Sequence, residues 1–113
     1  MAITVTTLRA VGNSWAVHGY SADAQGNEIL KAAETGKSHW IKKFAIHSIT
    51  AVTVQINADA TVLLGPFNFL TTVSTPFVYE FAEPIQVTAG AGIKVDASGA
   101  GAVNVIVEGF TDN

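Results

Sequence analysis

From His39 onward, apolar and polar residues alternate with a period of two, in short runs separated by Gly, Pro, Asn or Asp. That period belongs to strands with one buried face, because successive side chains of a strand point to opposite sides. Trp40, Phe44 and Ile46 fall on one face of the run from His39 to Ile49, with Lys43 and His47 opposite. Val52, Val54 and Ile56 alternate with Thr53, Gln55 and Asn57. The segment Asn57-Ala58-Asp59-Ala60 reads as a hairpin turn, since Asn and Asp tolerate turn geometry and bond their own backbone. Val62 and Leu64 continue in the return strand, which Gly65-Pro66 ends or bends. Phe77, Tyr79 and Phe81 form the next apolar face, and Ile85 with Val87 a short one beyond Pro84. Ile93 and Val95 precede a predicted turn at Ser98-Gly99-Ala100-Gly101. Val103, Val105 and Val107 line the last strand. These apolar positions apart from Ile85 and Val87, with Trp40 included, form the predicted core.

The first 36 residues are less regular. Ile3 to Leu8 reads as a strand or an extended arm, and Trp15, Val17 and Gly19 alternate with His18 and Tyr20. Ser21 to Asn27 reads as a loop. Glu28 to Glu34 suits a short helix or a strand, and the turn residues Thr35-Gly36-Lys37 favour the strand. The pattern divides the chain into an N-terminal arm or edge segment, 1–26, and a β-sandwich domain, 27–113. Ile3, Val5 and Leu8 keep no single phase. An unpaired apolar edge in water is a liability. Ile3, Val5, Trp15 and Tyr20 are therefore predicted to meet a protein partner, by strand addition at the arm. The other reading makes residues 3–8 the first strand of the sandwich, paired within their own chain. Seven or eight strands at this spacing give an all-β, antiparallel β-sandwich. The spacing alone suits a jelly roll or an immunoglobulin-like order.

Composition narrows the classes. A chain of 113 residues makes one domain that buries roughly 65% of its unfolded surface. It has no cysteine, which excludes disulfides, thiolate metal sites and cysteine nucleophiles. Charged residues make up 13%, about half the usual share, against 49% hydrophobic. Either a partner covers part of the surface, or the exposed faces are built from uncharged polar residues. Residues 1–48 carry five of the six basic groups and a net charge of +2, and residues 49–113 carry −5. No basic run alternates with aromatic residues, so a nucleic-acid partner is not expected. No stretch approaches the ~20 apolar residues of a membrane span, so no membrane partner is expected either. The start Met1-Ala2-Ile3-Thr4-Val5 lacks the basic and long apolar regions of a signal peptide, and no glycosylation sequon occurs.

The chain offers little chemistry. His39 and His47 are eight residues apart, which in a regular strand places them on one face but ~26 Å from each other. Metal ligands lie about 2 Å from the ion, so these read as solvated or interface histidines. The acids Asp59, Glu80, Glu83, Asp96 and Glu108 are scattered singly. No Gly-x-Ser-x-Gly elbow occurs, and Gly90, Gly92, Gly99 and Gly101 lie between strands, where they read as turn residues. No catalytic residue, metal or cofactor is expected. Trp15, Tyr20 and Trp40 can line a sugar-binding face, although the phase of Trp40 points to the core.

From Gly36 onward the chain resembles a group of small bacteriophage structural proteins. The likeness is carried by Gly36-Lys37-Ser38-His39-Trp40-Ile41, by Ala60-Thr61-Val62-Leu63-Leu64-Gly65-Pro66-Phe67 and by Phe81-Ala82-Glu83-Pro84-Ile85. Thr88-Ala89-Gly90-Ala91-Gly92-Ile93 and Val105-Ile106-Val107-Glu108-Gly109-Phe110 complete it. These are turns and strand ends, and they span about two-thirds of the chain. The resemblance implies a jelly roll that decorates or cements the outer shell of a capsid. It also implies a homotrimer, with the major capsid protein as partner and the virion surface as location, after synthesis in the host cytoplasm. Related domains occur in tail spikes and fibres. The alternative is therefore a tail-fibre head or a carbohydrate-binding module that recognises a glycan on a host surface.

Overall fold

The computed structural model describes residues 3–69 and 76–112, with the backbone alone for 22–25. Seven strands account for almost all of it: β1 (Thr4–Val11), β2 (Ser14–Lys31), β3 (Ser38–Ser48), β4 (Thr53–Ala58), β5 (Thr61–Asn68), β6 (Phe77–Gln86) and β7 (Ile93–Asp112). Every pairing between them is antiparallel, and no helix occurs among the described residues. The predicted strand at Glu28 is the end of β2, and the predicted turn after Asn57 is the β4–β5 hairpin. Asp59 holds that turn with φ at 51°, a left-handed value that Asp tolerates better than most residues.

β2 and β7 set the architecture, because each is long enough to serve two sheets. Residues 14–21 of β2 pair with 103–110 of β7, while residues 26–31 pair with 93–97. Register shifts between Ser21 and Gly26 mark the bend that separates the halves. The front sheet runs β1, β2, β7, β3, β6. The back sheet continues from the other halves of β2 and β7 to β4 and then β5. Counted by halves, each sheet has four strands in jelly-roll order, and β1 is added at the front edge. The fold is an all-β antiparallel jelly roll.

Two predicted interruptions are thus bends within strands. Ser21 to Asn27 lies inside β2, and Ser98 to Gly101 lies inside β7. Loop-type residues serve there because the paired strands must turn a corner together. At Gly101 a Cβ would lie 2.7 Å from the Thr50 side chain, so only glycine lets the corner close. The division drawn after residue 26 falls inside β2, and residues 14–21 belong to the sandwich.

The core lies between the sheets. Phe44, Ile46, Val52, Val54, Ile56, Ile93, Val95, Val103, Val105 and Val107 are buried there, in the predicted phase. Trp40 is a correction: it faces outward. Ile41 pairs with Gly109 and Lys43 with Glu108, so β3 advances two residues while β7 advances one. Lys42 is the extra residue of a bulge, which inverts the phase of everything before it. His39 and Ile41 therefore point inward on one side of the bulge, and Phe44 and Ile46 on the other. A Cβ on Gly109, opposite the bulge, would collide with the Trp40 carbonyl. Val62 is exposed near the β4–β5 turn. Phe77 and Tyr79 sit opposite inward-facing Ile46 and Phe44 yet remain 40% and 50% exposed, because β6 is an edge strand. Leu64 and Phe81 pack against the core from the same margin, half-buried.

Candidate functional site

β1 places two of the predicted interface residues, Ile3 just before it and Val5 within it. It pairs with β2 of its own chain, from Thr4 opposite Tyr20 to Val11 opposite Ser14. All eight of its residues are exposed. The segment is therefore an edge strand of the sandwich, with its other edge unpaired among the described residues. Val5, Leu8 and Val11 are exposed apolar side chains on it. Ile3 is half-buried and reaches over Gly19, where an added Cβ would lie 2.8 Å from its Cδ1 and 2.7 Å from that of Leu30. Gly19 makes room for both.

Trp15 belongs to the interior of this chain and is 4% exposed. Its Nε1–H donates to Thr111 Oγ1 at 2.9 Å, and its ring meets that of His39 edge-on at 5.9 Å. Lys31 places its ammonium 5.2 Å from the ring centre, a cation–π contact. His39 is likewise a correction to the solvated reading. Its Nε2 lies 2.8 Å from the Ala32 carbonyl, which can only accept, so this nitrogen carries the proton. Nδ1 then accepts from the Thr111 hydroxyl at 2.7 Å. The group is a satisfied buried network, the condition for polar side chains to sit in a core.

Tyr20 lies on the outer face of the front sheet and is exposed. The antiparallel register arranges that face in rows running across the strands. Tyr20 shares a row with Asn104 and His47. The next row holds His18, Ile106, Ala45 and Val78, with Ile106 and Val78 exposed. The third holds Ala16, Glu108, Lys43 and Glu80. Arg9 reaches over the small Ala16 to Glu108, at 3.3 Å. The fourth holds Ser14, Phe110, Trp40 and Gln86, with Trp40 and Phe110 stacked at 5.8 Å between ring centres. Polar contacts are sparse on this face. His18 Nε2 lies 3.0 Å from Asn104 Oδ1, while His47 Nε2 is buried and has no partner within the chain.

A second apolar region lies where β5 and β6 leave the sandwich open. Phe67, Phe77, Tyr79 and Phe81 gather there around the buried Phe44, with Phe67 and Phe77 stacked at 4.6 Å. Trp15, Tyr20 and Trp40 do not make one platform. Trp15 faces inward, and the rows of Tyr20 and Trp40 are three apart, about 20 Å along the strands. Among the described residues, no three His, Asp or Glu side chains come together as a metal site would require. The exposed features with chemistry on them are thus surfaces: the free edge of β1 and the front face. Neither a family model nor any characterised protein matches this chain.

Proposed function

We propose that the chain is a non-enzymatic structural protein of a bacteriophage virion, a decoration or cement protein that binds the outer shell of the head and stabilises it. The observation that carries this reading is β1, an edge strand exposed along all eight residues and carrying Val5, Leu8 and Val11. A strand exposed in this way can be completed by one from a capsid neighbour, with main-chain hydrogen bonds supplying affinity and apolar side chains supplying fit. The jelly-roll order agrees with the fold that the resemblance implies. A cement protein has to resist deformation, and β2 and β7 serve that need by running continuously through both sheets. The low charge suits a surface that is partly covered in the assembly.

Mass spectrometry and imaging of purified virions test the proposal. A decoration protein is present in hundreds of copies spread over the head. A few dozen copies at the tail, or none in the particle, would overturn the reading.

A further inference from the structure

We infer that the outer face of the front sheet is the docking site for a second copy of this chain, related by a two-fold axis that runs along the strands between β7 and β3. The inference rests on the arrangement of charge in one row and does not depend on the capsid reading. Across that row lie Arg9, whose guanidinium covers Ala16 on β2, then Glu108 on β7, Lys43 on β3 and Glu80 on β6. The signs alternate: plus, minus, plus, minus. Rotation by 180° about an axis parallel to the strands, through the middle of the row, reverses its order. Glu108 then faces the partner's Lys43, and Arg9 faces the partner's Glu80. Every charge meets its opposite. A two-fold axis along the row instead would set like on like, so the charges also choose the axis.

The neighbouring rows fit the same operation. Ile106 on β7 meets the partner's Ala45, large against small, and His18 on β2 meets the partner's Val78. In the row beyond, His47 comes into line with the partner's Asn104. An interface that reads the same from both sides is what a symmetric homodimer requires. Sheets stacked in this way keep their strands within about 30° of each other. Four strands by four rows span roughly 20 by 25 Å, so pairing hides about 1,200 Å² in total, the lower end of what stable complexes bury. The association is two-fold, where the resemblance implies three-fold.

The test uses two charge reversals and their mixture, read by sedimentation and native mass spectrometry of the isolated protein. The unchanged chain should be a dimer at micromolar concentration. Lys43→Glu places glutamate opposite the partner's Glu108, and Glu108→Lys places lysine opposite the partner's Lys43, twice in each homodimer. Each variant should weaken self-association by about a hundredfold. Mixed together, the two variants should form a one-to-one dimer, because every facing pair is again of opposite sign. Thermal melts of each variant alone establish that it is folded. A wild-type monomer or trimer, a variant that still dimerises, or a mixture that stays monomeric would overturn the pairing. The copy number in virions judges the capsid reading separately.

Discussion

Thr111 has a single hydroxyl that serves two buried rings, accepting from the Trp15 indole and donating to His39 Nδ1. Replacing it with valine keeps the volume and removes both bonds. Each buried polar group left without a partner costs about 1–3 kcal/mol. Thr111→Val should therefore destabilise the domain by about 2–4 kcal/mol and lower the melting temperature by roughly 10 °C. Thr111→Ser keeps the hydroxyl and loses one methyl, about 1 kcal/mol. Calorimetry on the two variants decides the matter. Equal losses would mean that the network adds nothing beyond packing. None of this network could be read from the chain, because its members lie at positions 15, 39 and 111 and only the fold brings them together. Histidine and threonine carry no local signal of burial. Phe44, by contrast, was legible from its phase alone, and it is the residue on which four other aromatic rings converge.

At the level of elements, the runs that follow a plain alternation were legible, and those that bend were not. β4, the hairpin at Asp59 and the inward valines of β7 follow directly from period two. β3 does not, because one inserted residue at Lys42 exchanges the two faces without changing the composition of the run. The reading that kept Trp40 in phase with Phe44 assumed an unbroken ladder. β2 and β7 look shorter in the sequence than they are in the fold, for a related reason. A corner turned by a pair of strands needs the same glycines and small polar residues as a loop between them. The bulge yields a prediction of its own. Deleting Lys42 restores a regular ladder in which Ile41 stays opposite Gly109 and Lys43 opposite Glu108, so His39, Ile41, Phe44 and Ile46 all still point inward. The buried faces are kept, and the loss in urea unfolding should stay below about 2 kcal/mol. Lys42→Ala keeps the bulge and removes only an exposed side chain, so its cost should stay below about 0.5 kcal/mol. A deletion that costs more than about 3 kcal/mol would show that the bulge holds the core together in some way other than by setting the phase of the strand.

For the molecule as a whole, the outstanding question is what β1 is for. The strand covers one edge of the front sheet, and every one of its residues stays exposed. Its stabilising contributions are its hydrogen bonds to β2, the packing of Ile3 over Gly19 beside Leu30, and the Arg9–Glu108 ion pair. The ion pair is a surface one, with side chains 44% and 32% exposed, and pairs of that kind contribute at most about 1 kcal/mol. The main core, from Trp15 through Val107, contains no β1 residue. A strand that adds no residue to the main core, yet carries exposed Val5, Leu8 and Val11 beside a free edge, is better suited to a contact outside the chain. Deleting residues 2–8 separates the two roles and leaves Arg9 in place for the front-face pairing. The truncated protein should unfold in one cooperative step at a temperature only a few degrees below that of the full chain, since it loses little more than Ile3 from its packing. It should still form the front-face dimer. Its binding to capsids stripped of the protein, measured by co-sedimentation, should fall by tenfold or more. If truncation abolishes folding, β1 is a structural element of the sandwich and its exposure has no functional meaning. If the truncated protein folds and binds capsids as well as the full chain, the attachment surface lies elsewhere, and the open aromatic margin of Phe67, Phe77 and Tyr79 is the next region to test.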